Sequence, residues 1–126
     1  SLETVEDLRI LDPYGHPGVM TMINTRPIFP MDVISGNIAY PEISKVIAKI
    51  QALSKKTWSI NATQIALEMG DPIFSNMAML GALSATKTLP VDRQGFEETI
   101  KELLPLHKLS DNLKAFDEGS KAVQQL

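Results

Sequence analysis

Cysteine is absent from the sequence, so no disulfide forms and no iron–sulfur cluster is held by thiolates of this chain. If the protein takes part in electron transfer, the redox centre lies on another chain. Histidine is nearly absent too: His16 and His107 are read as turn or loop residues, and neither has a carboxylate partner at metal-ligand spacing. No metal site is expected. There is no basic excess, since the formal net charge is −3 and the pI about 5.3, which argues against a nucleic-acid partner. No apolar run approaches the roughly 18 to 20 residues of a membrane span, and no secretory pattern opens the chain. A cytoplasmic protein without a membrane partner is the expectation. Missing as well are a G-x-S-x-G elbow, a carboxylate pair, and a nucleophile with an adjacent base. On its own chemistry the chain is read as non-catalytic.

What is present is the size and composition of one globular domain: 126 residues, 44% hydrophobic and 21% charged. Val5, Leu8 and Leu11 fall three apart, predicting a short helix from Thr4 that ends near Pro13-Tyr14-Gly15. Val19 to Ile23 is an apolar run of the kind shown by strands buried on both faces, which belong to parallel sheets covered by helices. The stretch after Asn24-Thr25-Arg26 carries Pro27, Pro30 and Pro41, predicting a stiff, extended loop.

Pro41 is read as the first residue of an amphipathic helix carrying Ile43, Val46, Ile47, Ile50 and Leu53. Thr57 to Ile60 reads as a second strand. Asn61 caps a helix ending at Gly70, with Gln64 in capping-box register, and Asp71-Pro72 opens the next. Two further helices follow Pro90. Asp92, Glu97, Glu98 and Glu102 mark the start and solvated face of the first, with Glu98 and Glu102 expected near Lys101. Two strands are too few for an independent parallel sheet, so strands are missing or come from another chain. The expected class is α/β: an open, mainly parallel sheet covered by helices in three layers, truncated at the N-terminus, with a helical C-terminal part.

Three segments then carry a resemblance. "PGVMTMINTRPIFP" (Pro17 to Pro30), "NATQIALEMGDPIFSNMAMLGAL" (Asn61 to Leu83), and the run from Leu89-Pro90 through "FEETI" to "NLKAFDEG" (Asn112 to Gly119) resemble, in order and spacing, the gamma-type subunit of 2-oxoacid:ferredoxin oxidoreductases. The same module is similar to the beta subunit of indolepyruvate:ferredoxin oxidoreductase. A glycine-rich G-x-G-G-Q-G turn usual near the start of such subunits has no counterpart here, so residues 1–126 resemble the C-terminal two thirds of the module, read as a single domain.

The resemblance implies a non-redox subunit in the oxidative decarboxylation of a 2-oxo acid, indolepyruvate or pyruvate among the candidates, with coenzyme A taking the acyl group and ferredoxin the electrons. Thiamine diphosphate and iron–sulfur clusters would reside on thiamine-diphosphate and ferredoxin-type partner chains, with no cofactor bound by this chain alone. The alternative is a stand-alone small-ligand or protein-binding module of the same fold.

Four residues are candidates for ligand or interface contact. Asn24, Thr25 and Arg26 leave the carboxyl end of a strand, where α/β proteins place ligands, and Arg26 offers a planar fork for carboxylate or phosphate. The plainer reading has Asn24 and Thr25 satisfying loop backbone and Arg26 pairing at the surface. Asn76 stands on an apolar helix beside Gly81, Ala82 and Ala85, small residues that let another backbone approach, and is read as buried against sheet or subunit. An uncovered sheet edge, or this helix, predicts self-association.

Overall fold

The computed structural model describes residues 4–26, 35–36, 39 and 41–126. The proline-rich stretch expected to form a stiff loop after Arg26 falls largely outside them. Two compact units emerge, residues 1–59 with 125–126, and residues 60–124.

In the first unit, α1 (Thr4–Tyr14) turns Leu11 into the core, with Val5 and Leu8 packed beside it. Pro13 is accommodated inside the last turn, and the Gly15 N–H closes the helix on the Leu11 carbonyl at 2.8 Å. Strand β1 (Met20–Asn24) is buried only at Ile23 and Asn24, while Met20 is exposed, so burial on both faces is confined to the strand's carboxyl end. Helix α2 (Ile43–Leu53) places Val46 and Ile50 against Ile23 and Leu11, as its periodicity predicts. It begins two residues after Pro41, with Glu42 at the cap position. Strand β2 (Lys56–Ile60) follows, and β3 (Gln124–Gln125) completes a sheet of order β1-β2-β3. The Leu126 N–H bonds the Thr57 carbonyl at 2.9 Å. The expected α/β class stands, with a small mixed sheet and most of the chain helical. The third strand is two glutamines long and carries no alternation that would announce it.

The second unit is helical. Asn61 caps α3 (Ala62–Glu68) by accepting from the Gln64 N–H at 3.0 Å, while the Gln64 side chain bonds Glu68 instead of closing the capping box. Gly70, with φ +96, supplies the left-handed step that ends the helix. Asp71 then accepts from the Ile73 N–H at 2.9 Å, and Pro72–Phe74 forms one 3-10 turn leading into α4 (Ser75–Ala85). Asp92 caps α5 (Arg93–Leu103) through the Gly95 N–H at 2.7 Å. A cap of this kind is worth about 1 kcal/mol, so Asn61→Ala and Asp92→Ala should each lower the unfolding free energy by roughly that amount, read as a lower urea midpoint at unchanged slope, with Gly replacements milder.

The long helix α6 (Leu106–Ala122) packs on α4 through small residues: Ala78, Gly81 and Ala82 on one side, Ala115 and Gly119 on the other. Phe116 is buried and stacks on Phe96 of α5, ring centroids 4.3 Å apart. Arg93 grips both carboxylate oxygens of Asp117 at 3.0 and 3.2 Å and also pairs with Glu97.

Lys101 meets Glu97 at 2.7 Å, so the lysine partner is Glu97, not Glu98 or Glu102 as the sequence suggested. Spacing of four brings helical neighbours together, which the spacing of three from Glu98 achieves less well here; Glu98 instead accepts from the Gln94 side chain at 3.0 Å. The Lys101 ammonium, with Arg93 adding to it, holds the Glu97 carboxyl below the ordinary value of 4.5. A depressed carboxyl contributes stability that is complete above its unfolded value and lost as pH falls through the folded one. The melting difference between the parent chain and Glu97→Gln should therefore be small at neutral pH and fade as pH drops below 4.5.

Candidate functional site at the carboxyl end of the first strand

At the carboxyl end of β1 the first unit collects polar side chains in its interior. The Thr4 hydroxyl donates to the Asn24 carbonyl at 3.1 Å, tying the start of α1 to the end of β1. Thr4 is wholly buried, Asp7 one turn further is 7% exposed, and Asn24 is 4% exposed. Thr25 and Arg26 follow, both half-buried. Nη1 of Arg26 is shut off from solvent, and among the described residues it has no hydrogen-bond acceptor.

This arrangement brings three of the four candidate residues, Asn24, Thr25 and Arg26, to one strand end beside a helix start. The surface ion pair of the plainer reading is absent for Arg26 among the described residues. Sequence reasoning missed Thr4 and Asp7. The signal was available: Thr4, Asp7, Leu8 and Leu11 share the helical spacing of the apolar face, so two polar residues occupy positions where the core is expected.

Asn76 belongs to the second unit and is exposed, so its amide is not buried against a sheet of this chain. Successive helical residues turn about 100°. The face of α4 that packs on α6 is set by Ala78, Gly81 and Ala82; Asn76 shares the outer face with Leu80, in line with Ile73 on the preceding turn, both of them exposed. The close approach expected of the small residues does occur, with α6 as the partner.

The second unit also carries a cleft of 450 Å³ between the 3-10 turn and the start of α6, with Phe74, Met77 and Leu104 as its apolar wall and His107, Lys108 and Asp111 at its rim. His107 stands in the first turn of α6, not in a loop. His16 does lie in a turn, where its Nδ1 accepts from the Gly18 N–H at 3.1 Å.

For the cofactors implied by the resemblance, the donor set is poor. The chain has no thiolate for an iron–sulfur cluster, and among the described residues no three His, Asp or Glu side chains are grouped to hold a metal ion.

Comparison with known proteins decides the family. A family model described as pyruvate ferredoxin/flavodoxin oxidoreductase matches residues 9–122. The chain belongs to that family. Curated relatives agree: indolepyruvate oxidoreductase subunit IorB of Pyrococcus horikoshii is 32% identical over all of this chain and 62% of its own length. IorB of Thermococcus kodakarensis is 31% identical with the same coverage. That of Archaeoglobus fulgidus is 29% identical over 94% of this chain and 59% of its own length. The chain thus spans about 62% of the length of the first two relatives. No solved structure matches. Among the described residues of this family member, no helix is long and apolar enough to cross a membrane.

Proposed function

We propose that this chain is a non-redox subunit, or part of one, of a 2-oxoacid:ferredoxin oxidoreductase that decarboxylates a 2-oxo acid, passes the acyl group to coenzyme A and reduces ferredoxin. The observation that carries the reading is the family match over residues 9–122. The printed names of the relatives favour indolepyruvate among the 2-oxo acids.

In this reading residues 1–126 form one domain, the C-terminal part of a gamma-type module in a cytoplasmic complex. Thiamine diphosphate and the iron–sulfur clusters sit on thiamine-diphosphate and ferredoxin-type partner chains. Two surfaces meet those chains or a second copy of this one. One is the strand end at Asn24, Thr25 and Arg26; the other is the outer face of α4, where Asn76 offers hydrogen bonds between the exposed apolar side chains of Ile73 and Leu80. Sedimentation of the isolated chain should show association that increases with concentration, and a clean monomer at high concentration removes the self-association.

Reconstitution tests the main reading. Ferredoxin reduction by a complex assembled with and without this chain should differ strongly when a 2-oxo acid and coenzyme A are supplied. Full activity with unchanged substrate affinity in its absence would overturn the assignment and favour a stand-alone binding module.

A further inference from the structure

The cleft between the 3-10 turn and the first turn of α6 lies wholly within the second unit, apart from the strand-end residues. Its 450 Å³ is the size of a small-molecule pocket, and most of its wall is apolar. Phe74, Met77 and Leu104 make that wall. An aromatic ring beside a thioether and a branched aliphatic chain suits a compact apolar body.

Four ionisable side chains line the cleft, and they are of both kinds: Asp71 and Asp111 are acidic, His107 and Lys108 basic. Asp71 is already engaged, since its Oδ1 accepts from the Ile73 N–H at 2.9 Å. Lys108 and Asp111 stand three apart on α6, the spacing of helical neighbours, yet their side chains form no ion pair with each other or with another described residue. Asn112 donates through Nδ2 to the Lys108 carbonyl at 2.8 Å, which leaves its amide oxygen as an acceptor beside Asp111. A purely anionic ligand would meet the Asp111 carboxylate, and a purely cationic one the Lys108 ammonium. A ligand carrying both charges close together meets each with its opposite. An α-amino acid is built in this way, with an ammonium and a carboxylate on one carbon and a side chain for the apolar wall to cover.

We propose that this cleft binds a free α-amino acid with a large apolar side chain. Lys108 takes the carboxylate, Asp111 and the Asn112 oxygen take the ammonium, and the side chain lies against Phe74, Met77 and Leu104. His107 borders the same rim with a ring that donates or accepts. The site does not depend on the subunit assignment or on which partner chains assemble.

The test is a titration of the full chain with L-phenylalanine at constant ionic strength, followed by the methyl signals of Met77 and Leu104 and the backbone amides of α6. Phenethylamine and 3-phenylpropionate keep the ring with one charge each; glycine keeps both charges without the ring. Phenylalanine should give saturable shifts, each single-charge analogue should bind at least about threefold more weakly, and glycine should not saturate over the same range. Lys108→Met should weaken phenylalanine at least about threefold and leave phenethylamine unchanged, whereas Asp111→Asn should weaken phenylalanine and leave 3-phenylpropionate unchanged. Both residues are exposed, so neither change disturbs the core, and melting curves check this. Absence of saturable shifts with phenylalanine, equal binding of the single-charge analogues, or equal binding by the two variants overturns the proposal. Shifts at the same residues that follow protein concentration and not ligand also overturn it, and mark the cleft as a contact between copies. Capture of partner chains without amino-acid binding would remove this site and leave the subunit assignment standing.

Discussion

Gly81→Ala and Gly119→Ala should each destabilise the chain by about 3 kcal/mol or more, at or beyond the upper end of ordinary overpacking. A Cβ on Gly81 would overlap the carbonyl group of Phe116, and a Cβ on Gly119 would overlap that of Ala78. The obstacle in both cases is backbone of the opposing helix, which cannot rotate aside as a side chain can. Adding one methyl therefore forces α4 and α6 apart, and separation opens the contacts of Ala78, Ala82 and Ala115, all now fully buried. Urea denaturation should show a lower midpoint at unchanged slope, with Lys114→Ala, an exposed change on α6, as the control. The double variant should cost less than the sum of the two, since one displacement of the helices relieves both overlaps. Loss of less than about 0.5 kcal/mol in either single variant would contradict the described crossing.

The second large effect belongs to Phe116→Ala, expected at about 3 to 5 kcal/mol for deletion of a buried aromatic ring. Phe116 is 1% exposed and contributes to two contacts at once: its backbone meets Gly81, and its ring stacks on Phe96 at 4.3 Å with an interplanar angle of 17°. Because the alanine variant keeps the backbone contact and loses the ring, it separates the two. Phe96→Ala should cost less, since Phe96 is only half-buried, and the double-mutant cycle should return a coupling of about 1 kcal/mol from the stacked pair. Additive single effects would mean the rings contribute burial alone.

How much of this was legible depends on distance along the chain. Caps at Asn61, Asp71 and Asp92 could be read because their chemistry is complete within three residues. The helix carrying Val46 and Ile50 could be read because one face repeats. The small residues around Gly81 announced a close backbone approach, but not that Gly119, far along the chain, answers it reciprocally. Which face Asn76 occupies was not legible, because an apolar segment, α4, hides which of its faces is inward; the contact with α6 settles that.

At the candidate site, Asn24, Thr25 and Arg26 were legible from strand-end logic. Thr4 and Asp7 were overlooked because polar residues on a helix were read past when the apolar stripe was traced. The cleft near His107 is assembled from segments either side of α4 and α5, so no local pattern could signal it. Sheet completion by Gln124–Gln125 was equally invisible, being a matter of where the chain returns beside Thr57.

Membership in a multi-chain oxidoreductase is checked by affinity capture. The full-length protein that contains this chain, tagged and recovered from anaerobic lysate of its own host, should bring down a thiamine-diphosphate-binding chain in fixed proportion, identified by mass. Recovery of the protein alone, under conditions where the host carries out 2-oxo acid oxidation, would contradict the account.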